Sequence, residues 1–234
     1  MSAVLDLPKT TSIEKIYKAV EMAREQQAAI ILSNVAWATY RQFVEETMDI
    51  IRSPRFYYDE RNLLIMSVSS EHEAVKDSIV YLINILTEEF QINARSLGST
   101  TYLKDDIEKG FEPDSCFYFE NEERIRDVKR LDMSVHPAPD LIVEVDITSL
   151  STFRQHIFAA FGVPEIWRFD GEQIEILKLE NGKYVPVENS LALPLVTPEK
   201  LTEFINRKPN SQAFGMDWQS QRLGKISQII LRKH

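Results

Sequence analysis

The stretch DLIVEVDIT, residues 140–148, decides the fold prediction for this chain. Side chains in a strand alternate between its two faces. One face would then be wholly apolar, and it carries Leu141, Val143, Val145 and Ile147. The other face would carry Asp140, Ile142, Glu144 and Asp146, with neighbouring carboxylates about 7 Å apart. A strand with one wholly apolar face and three acids on the other belongs in a sheet that is packed on at least one side.

Three like charges on one strand face cost free energy unless a cation compensates them. Hard carboxylate oxygens favour magnesium, manganese or calcium, so a divalent metal site is one interpretation of this strand. The other interpretation is a solvent-exposed face with scattered acids. The strand alone leaves both open.

A second acidic element lies upstream, where Glu112-Pro113-Asp114 opens the strand-like run at residues 116–119. If this strand pairs beside residues 140–148, Asp114 can reach Glu144. The loop between them, residues 120–139, carries four cations within seven residues, which are Arg124, Arg126, Lys129 and Arg130. These cations either meet phosphates near the acids or belong to a solvated loop, where neighbouring acids dilute them.

Periodicity and turn residues predict the remaining elements. Helices are expected at 12–27, near 37–46, over about twenty residues from a capping box at Ser70–Glu73, at 151–161 and from residue 197. Strands are expected at 56–58, 63–67, 94–103, 114–119 and 140–148, and then as a meander at 165–169, 173–179 and 183–187. The predicted fold class is α/β (α+β), a mixed β-sheet flanked by helices. Residues 1–30 are expected to form a helical extension, 31–206 the domain and 207–234 a tail.

Composition narrows the classes of protein. The chain has 234 residues, 44% of them hydrophobic, and its single cysteine, Cys116, excludes an intrachain disulfide. With no secretory signal pattern and no apolar run near the roughly 18–20 residues that cross a bilayer, we expect a soluble, cytoplasmic protein with no membrane partner. The formal net charge of −9 argues against a tight, permanent DNA-binding role, although an enzyme could still meet DNA through a metal and a local basic patch.

Several other site types find no support. Four scattered histidines and one cysteine do not form a zinc pattern, and the seven glycines form neither a phosphate loop nor a dinucleotide fingerprint. His72 would lie in the first turn of its helix, where it could either face the site or serve the structure.

The two acidic motifs, Pro113-Asp114 and Glu144-Val-Asp146, resemble the signature of the PD-(D/E)XK nuclease superfamily. More narrowly, residues 138–171, APDLIVEVDITSLSTFRQHIFAAFGVPEIWRFDG, resemble the Uma-type family of restriction endonucleases, as do GFEPDSCFYF at 110–119 and the helix start near His72. The resemblance spans roughly residues 31–205. It implies a restriction-endonuclease-like fold.

The resemblance also implies a function, a metal-dependent endonuclease that acts on DNA with Mg²⁺ or Mn²⁺. A homodimer is expected because a duplex has two strands to cut. Asp114 and Glu144 would be metal ligands. Asp146 stands where the superfamily has a lysine, and it would be a further ligand or a structural partner of Arg154. Arg154 would supply the missing cation from the following helix, and His72 completes the candidate catalytic set.

An arginine stays protonated and cannot serve as a base, so a second function stays open: a catalytically silent binding module of the same fold. A third is a metal-binding or regulatory protein without a nucleic-acid partner. Geometry separates these alternatives. A nuclease needs Asp114, Glu144 and Arg154 to converge within about 4–6 Å of a common point. A dry pair between Asp146 and Arg154 would favour the silent module.

Overall fold

The computed structural model describes residues 3–5, 10–47, 50, 53–146 and 151–206. Six α-helices form, which are α1 (Ile13–Gln26), α2 (Trp37–Thr47), α3 (Ser70–Glu89), α4 (Glu122–Ile125), α5 (Ser151–Phe161) and α6 (Pro198–Asn206), and a 3₁₀ turn spans Asp105–Ile107. The strands are β1 (Ala3–Leu5), β2 (Ala29–Leu32), β3 (Arg55–Asp59), β4 (Asn62–Met66), β5 (Arg95–Ser96), β6 (Tyr102–Lys104), β7 (Lys109–Phe111), β8 (Ser115–Tyr118), β9 (Leu141–Val145), β10 (Glu165–Phe169), β11 (Ile174–Glu180) and β12 (Lys183–Pro186).

The described strands form two six-stranded sheets. The first has the order β1-β2-β4-β3-β7-β6 and is antiparallel except where β1 runs parallel to β2. The second has the order β12-β11-β10-β9-β8-β5, in which β9 and β10 are parallel and the other pairs antiparallel. The predicted class, a mixed α+β fold with helices flanking the sheet structure, is confirmed, and the structure divides the strands between two sheets.

Three apolar cores give the molecule its layers. Helices α1 and α2 cover one face of the first sheet, while α3 and α6 cover one face of the second. The third core lies between the sheets and includes α5. The alternation predicted for β9 is observed, because Val143 packs with α3 and α6 whereas Ile142 packs between the sheets. Glu144 shares the Ile142 face and therefore points toward the first sheet.

Most predicted elements form close to their expected bounds, with two local corrections. The segment predicted as one strand at 94–103 is split, since β5 joins the second sheet and β6 the first. The predicted capping box is also wrong. Helix α3 is capped by Ser69, whose hydroxyl accepts from the His72 N–H at 3.1 Å. Glu73 instead pairs with Lys76 at 2.7 Å.

The predicted domain limits at residues 30 and 206 stay predictions. Helix α1 contributes Ile16, Ala19 and Val20 to the core on the first sheet, so part of residues 1–30 packs closely on the domain. The tail at 207–234 lies outside the described residues. In the described part of the chain, the helices are too short or too polar to cross a membrane.

Candidate active site

The register of β8 and β9 brings the two acidic motifs together. Ser115 pairs with Val143 in antiparallel register, so Asp114 lies opposite Glu144. The Asp114 N–H donates to Glu144 Oε1 at 3.3 Å, and the Val145 N–H donates to Asp114 Oδ2 at 2.8 Å. Both side chains are 1–2% exposed. Asp114 therefore reaches Glu144, as the pairing of the two strands predicted.

Helix α5 supplies a cation to the same point. Arg154 Nη1 donates to Glu144 Oε2, and Nη2 lies 2.9 Å from Asp146 Oδ1. The arginine is only 1% exposed, so its planar guanidinium bridges two carboxylates away from water. Both geometric criteria set from the sequence are thus met at once: Asp114, Glu144 and Arg154 converge, and Asp146 pairs with Arg154 in a dry environment.

His72 also lies in the cluster. Its Nε2 is 3.0 Å from Asp114 Oδ2, and its Nδ1 is 3.7 Å from Glu73 Oε1. The first turn of α3 holds the imidazole there, because the Ser69 cap fixes the His72 N–H. His72 therefore contacts the acidic cluster, and its role there stays a prediction.

Two residues of β3 complete the cluster and were missed by the sequence analysis. The Tyr57 hydroxyl donates to Glu144 Oε2 at 3.4 Å, and its ring centroid lies 5.6 Å from Arg154 Cζ. Arg55 Nε is 3.9 Å from Asp114 Oδ1. Strand alternation puts Arg55 and Tyr57 on one face of β3, but β3 belongs to the first sheet. The sequence carries no signal that this face meets β9.

Burial dominates the electrostatics of the site. Desolvation raises the pKa of Glu144 to about 8, although the Arg154 guanidinium lowers it. For Arg154, burial alone would lower the pKa, but Glu144 and its neighbours raise it above the ordinary value. A lone arginine–carboxylate pair normally lowers the pKa of the acid, so the raised value needs a cause. Besides burial, Asp114 and Asp146 supply like charges that oppose ionisation of Glu144.

Comparison with known proteins identifies the family. Residues 38–206 match the Uma2 family, described as "Putative restriction endonuclease". The chain belongs to this family. Among solved structures, a "putative nuclease belonging to DUF820" from Anabaena variabilis is similar, with 16% sequence identity and a TM-score of 0.49 over 69% of this chain and 98% of the other. No curated protein was found to match the chain.

In this Uma2 chain, Asp140 lies outside the acidic cluster. Its carboxylate accepts hydrogen bonds from the Phe119 N–H at 2.7 Å and from the Asn121 N–H and Nδ2 at 3.0 and 2.6 Å. It fixes the start of the loop after β8. Of the three acids that share a face of the predicted strand, Glu144 and Asp146 are the two that contact Arg154.

The donors of the cluster fit a hard divalent cation in their chemistry. Asp114 and Glu144 offer carboxylate oxygens from adjacent strands, and Asp114 Oδ1 is a buried oxygen that accepts no hydrogen bond from the described residues. Within the described ranges, no group of three or more Asp, Glu, His or Cys side chains is arranged to hold a metal. Two protein carboxylates leave the remaining positions to water and substrate phosphate, which is common for Mg²⁺.

The four cations of the loop at residues 120–139 fall into two pairs with different surroundings. Arg124 donates to Asn121 at 3.1 Å, and Arg126 pairs with Glu122, so both are occupied within their own short helix and its cap. Lys129 and Arg130 instead line a large cavity. The predicted phosphate contacts of this loop stay a prediction, and its second half is placed beside an open space.

Proposed function

We propose that this chain is a metal-dependent endonuclease that hydrolyses phosphodiester bonds in DNA. The observation that carries the proposal is the meeting of Asp114 and Glu144 across β8 and β9 with Arg154 in contact. Membership of a family described as restriction endonucleases supports a nuclease in general. Mg²⁺ or Mn²⁺ is the metal that the carboxylate donors favour.

Asp114 and Glu144 would hold the metal. When bound, such an ion polarises a phosphate oxygen and lowers the pKa of an attacking water. Asp146 is a candidate third ligand, and its contact with Arg154 makes a role in holding the guanidinium equally compatible with its position.

The other residues would act by position and charge. His72 Nε2 contacts Asp114 Oδ2 and would fix the orientation of that carboxylate. Arg154 stays protonated, so it can stabilise negative charge on phosphate with its fork of donors but cannot accept a proton. Tyr57 packs on the guanidinium and would keep it aimed at Glu144.

A second candidate is a catalytically silent module that binds a partner through the same fold. It is favoured by one observation: Arg154 bridges Glu144 and Asp146 in a dry site and so already compensates the acids with a protein cation. For Glu144 to hold a metal, Arg154 would have to share or release this carboxylate.

Cleavage of DNA distinguishes the two candidates. Supercoiled plasmid and circular single-stranded DNA are each incubated with wild type, Asp114→Asn and Glu144→Gln in Mg²⁺, in Mn²⁺ and in EDTA. Glu180→Gln, a change of the same kind at the exposed end of β11, is the control. We expect metal-dependent nicking by wild type and Glu180→Gln, and none by the two site variants. Folding of each variant is checked by circular dichroism. No cleavage by wild type in either metal, or equal cleavage by Glu144→Gln, would remove the nuclease proposal.

The proposed homodimer is a separate point. Two chains would present two sites to the two strands of a duplex, which is the usual reason for such symmetry. Light scattering of the purified protein, alone and with DNA, measures the mass directly. A monomer under both conditions would exclude paired cutting by a stable dimer.

A further inference from the structure

A cavity of about 920 Å³ opens beside the acidic cluster. Its walls come from α2, from the segment between β5 and β6, and from residues 128–133 after α4. Arg55 of β3 and Glu112 also line it. None of the roles proposed above uses this cavity as a whole.

The cavity lining carries five cationic and four acidic side chains, whereas the whole chain has a net charge of −9. Its cationic side chains are Arg41, Arg55, Arg95, Lys129 and Arg130, and its acidic ones are Glu45, Asp105, Glu112 and Asp132. Arg41 is the partner of two of these acids, at 3.3 Å from Glu45 and 3.6 Å from Asp105. The single positive charge of Arg41 offsets one of these two negative charges, and Arg55 likewise pairs with Glu73 at 3.4 Å.

Another part of the lining holds a cation that backbone carbonyl groups orient. Arg95 donates to the carbonyl oxygens of Ile125 and Val128, the latter at 3.0 Å, and these contacts fix the guanidinium without cancelling its charge. Lys129 follows Val128 in the chain, and its side chain is exposed. A fixed guanidinium beside an exposed ammonium is a suitable arrangement for phosphate oxygens.

The rest of the lining suits the other parts of a nucleotide. Ser99 and Thr100 offer hydroxyl groups that can hydrogen-bond sugar or phosphate oxygens. Leu97, Leu131 and Met133 offer apolar surface against which a base can pack. The volume falls within the roughly 300–1,000 Å³ of cavities that hold small ligands, which fits a few unpaired nucleotides better than a base-paired duplex.

Arg55 links the cavity to the candidate active site. This side chain lines the cavity, and its Nε lies 3.9 Å from Asp114 Oδ1. Glu112, also in the lining, stands two residues before Asp114 in the chain and accepts a hydrogen bond from the Thr101 hydroxyl at 2.7 Å. A strand lying in the cavity would therefore contact Arg55, the arginine that lies beside Asp114.

From these contacts we infer that the cavity binds the sugar-phosphate backbone of a single-stranded DNA segment next to the bond that is cut. The inference rests on the proposed nuclease function and adds the substrate class: DNA with an unpaired segment, such as a flap, an overhang or a free single strand.

Binding without cleavage tests the inference. Anisotropy of a dye-labelled single-stranded oligonucleotide is measured in EDTA and again with Ca²⁺, alongside a blunt hairpin duplex of equal phosphate number. Lys129→Ala removes one cavity cation, Ser99→Trp fills the space, and Lys183→Ala removes an exposed lysine on β12 as the matched control. Wild type should bind the single strand more tightly than the duplex.

The salt dependence of single-strand affinity shows whether Lys129 contacts a phosphate. Loss of one phosphate contact should reduce the slope of log K against log salt concentration by about 0.7 for a single strand. We expect this reduction in Lys129→Ala and no change in Lys183→Ala, while Ser99→Trp should weaken single-strand binding at every salt concentration. Equal or tighter binding of the duplex would overturn the inference, as would equal slopes for Lys129→Ala and Lys183→Ala.

The two proposals fail in different ways. If wild type binds the single strand through Lys129 but never cleaves DNA in Mg²⁺ or Mn²⁺, the nuclease proposal fails. The inference that the cavity binds single-stranded DNA then still stands. If Glu144→Gln abolishes cleavage while Lys129→Ala and Ser99→Trp leave single-strand binding and cleavage unchanged, the cavity inference fails and the nuclease proposal stands.

Discussion

Replacing Arg154 by methionine removes the only cation that contacts both Glu144 and Asp146 among the described residues, while keeping a side chain of similar length. The pair is buried, with Arg154 at 1% and Glu144 at 2% exposure. Removing one partner of a buried ion pair leaves the other charge uncompensated, which costs about 3–5 kcal/mol of stability. We expect a loss of unfolding free energy of that size for Arg154→Met near pH 9.

The loss should depend on pH, with a sign that follows from Glu144. Burial raises its pKa in the folded protein to about 8, above that of an unfolded glutamate at about 4.3. The folded state binds the extra proton between these values, so the contribution of Glu144 to stability falls as the pH rises through that interval. Without Arg154 the folded pKa rises further. The difference between wild type and Arg154→Met should therefore be larger at pH 9 than at pH 6, because Arg154 stabilises the ionised form of Glu144.

Urea unfolding followed by tryptophan fluorescence measures the effect, since Trp167 is fully buried in the core beside β9. Arg168→Met is the matched control, because Arg168 lies opposite Glu144 on β10 and pairs with Glu175 at a partly exposed position. A pair of that kind contributes at most about 1 kcal/mol. The reasoning is refuted if Arg154→Met costs no more than Arg168→Met, or if its cost is the same at pH 6 and pH 9.

Other predictions test the cap, a buried acid and the cluster. Ser69→Ala should cost about 1 kcal/mol of unfolding free energy, because it removes the N-cap of α3. Ser70→Ala, the control, should cost less than about 0.5 kcal/mol. Equal losses in urea unfolding would contradict the assignment of the cap. Glu165→Gln should lower the unfolding free energy by roughly 1.5–3 kcal/mol. The buried Glu165 carboxylate accepts hydrogen bonds from the Trp167 Nε1–H and from two backbone N–H groups, and an amide cannot accept on both ends. A calorimetric melting temperature equal to that of wild type would contradict this loss of stability. His72→Phe should reduce Mn²⁺ affinity measured by calorimetry while leaving the fold intact, since it frees Asp114 from its contact; unchanged affinity would show that His72 does not orient the carboxylate.

Local patterns in the sequence determined much of the secondary structure. Apolar spacing placed α1 and α3, and turn residues placed the meander, where Gly171 and Gly182 adopt positive φ angles of 104° and 78°. These features depend on neighbours a few residues apart in the chain. The two acidic motifs and the GVPEIW element likewise identified the family, which the match over residues 38–206 confirms.

The pairing of Asp114 with Glu144 could be anticipated because both residues lie on strands with a recognisable pattern and a loop long enough to join them. The contacts of the other two acids on the strand could not be anticipated from the sequence. Asp140 and Asp146 occupy the same face of the strand pattern, yet one accepts hydrogen bonds from the loop after β8 and the other contacts Arg154. Which partner an acid finds depends on backbone that arrives from elsewhere in the chain.

Tertiary structure alone decided how the site is enclosed. Arg55 and Tyr57 come from the first sheet, which packs face to face with the second through an apolar core, and sequence periodicity says which face of β3 is buried but not what it is buried against. The division of residues 94–103 between β5 and β6 has the same origin, and the segment between these two strands lines the cavity. The sequence by itself determined the helices and strands, the family and the opposed pair of acids. The packing of one sheet on the other determined the burial of these two acids, because burial is set by contacts between residues far apart in the chain.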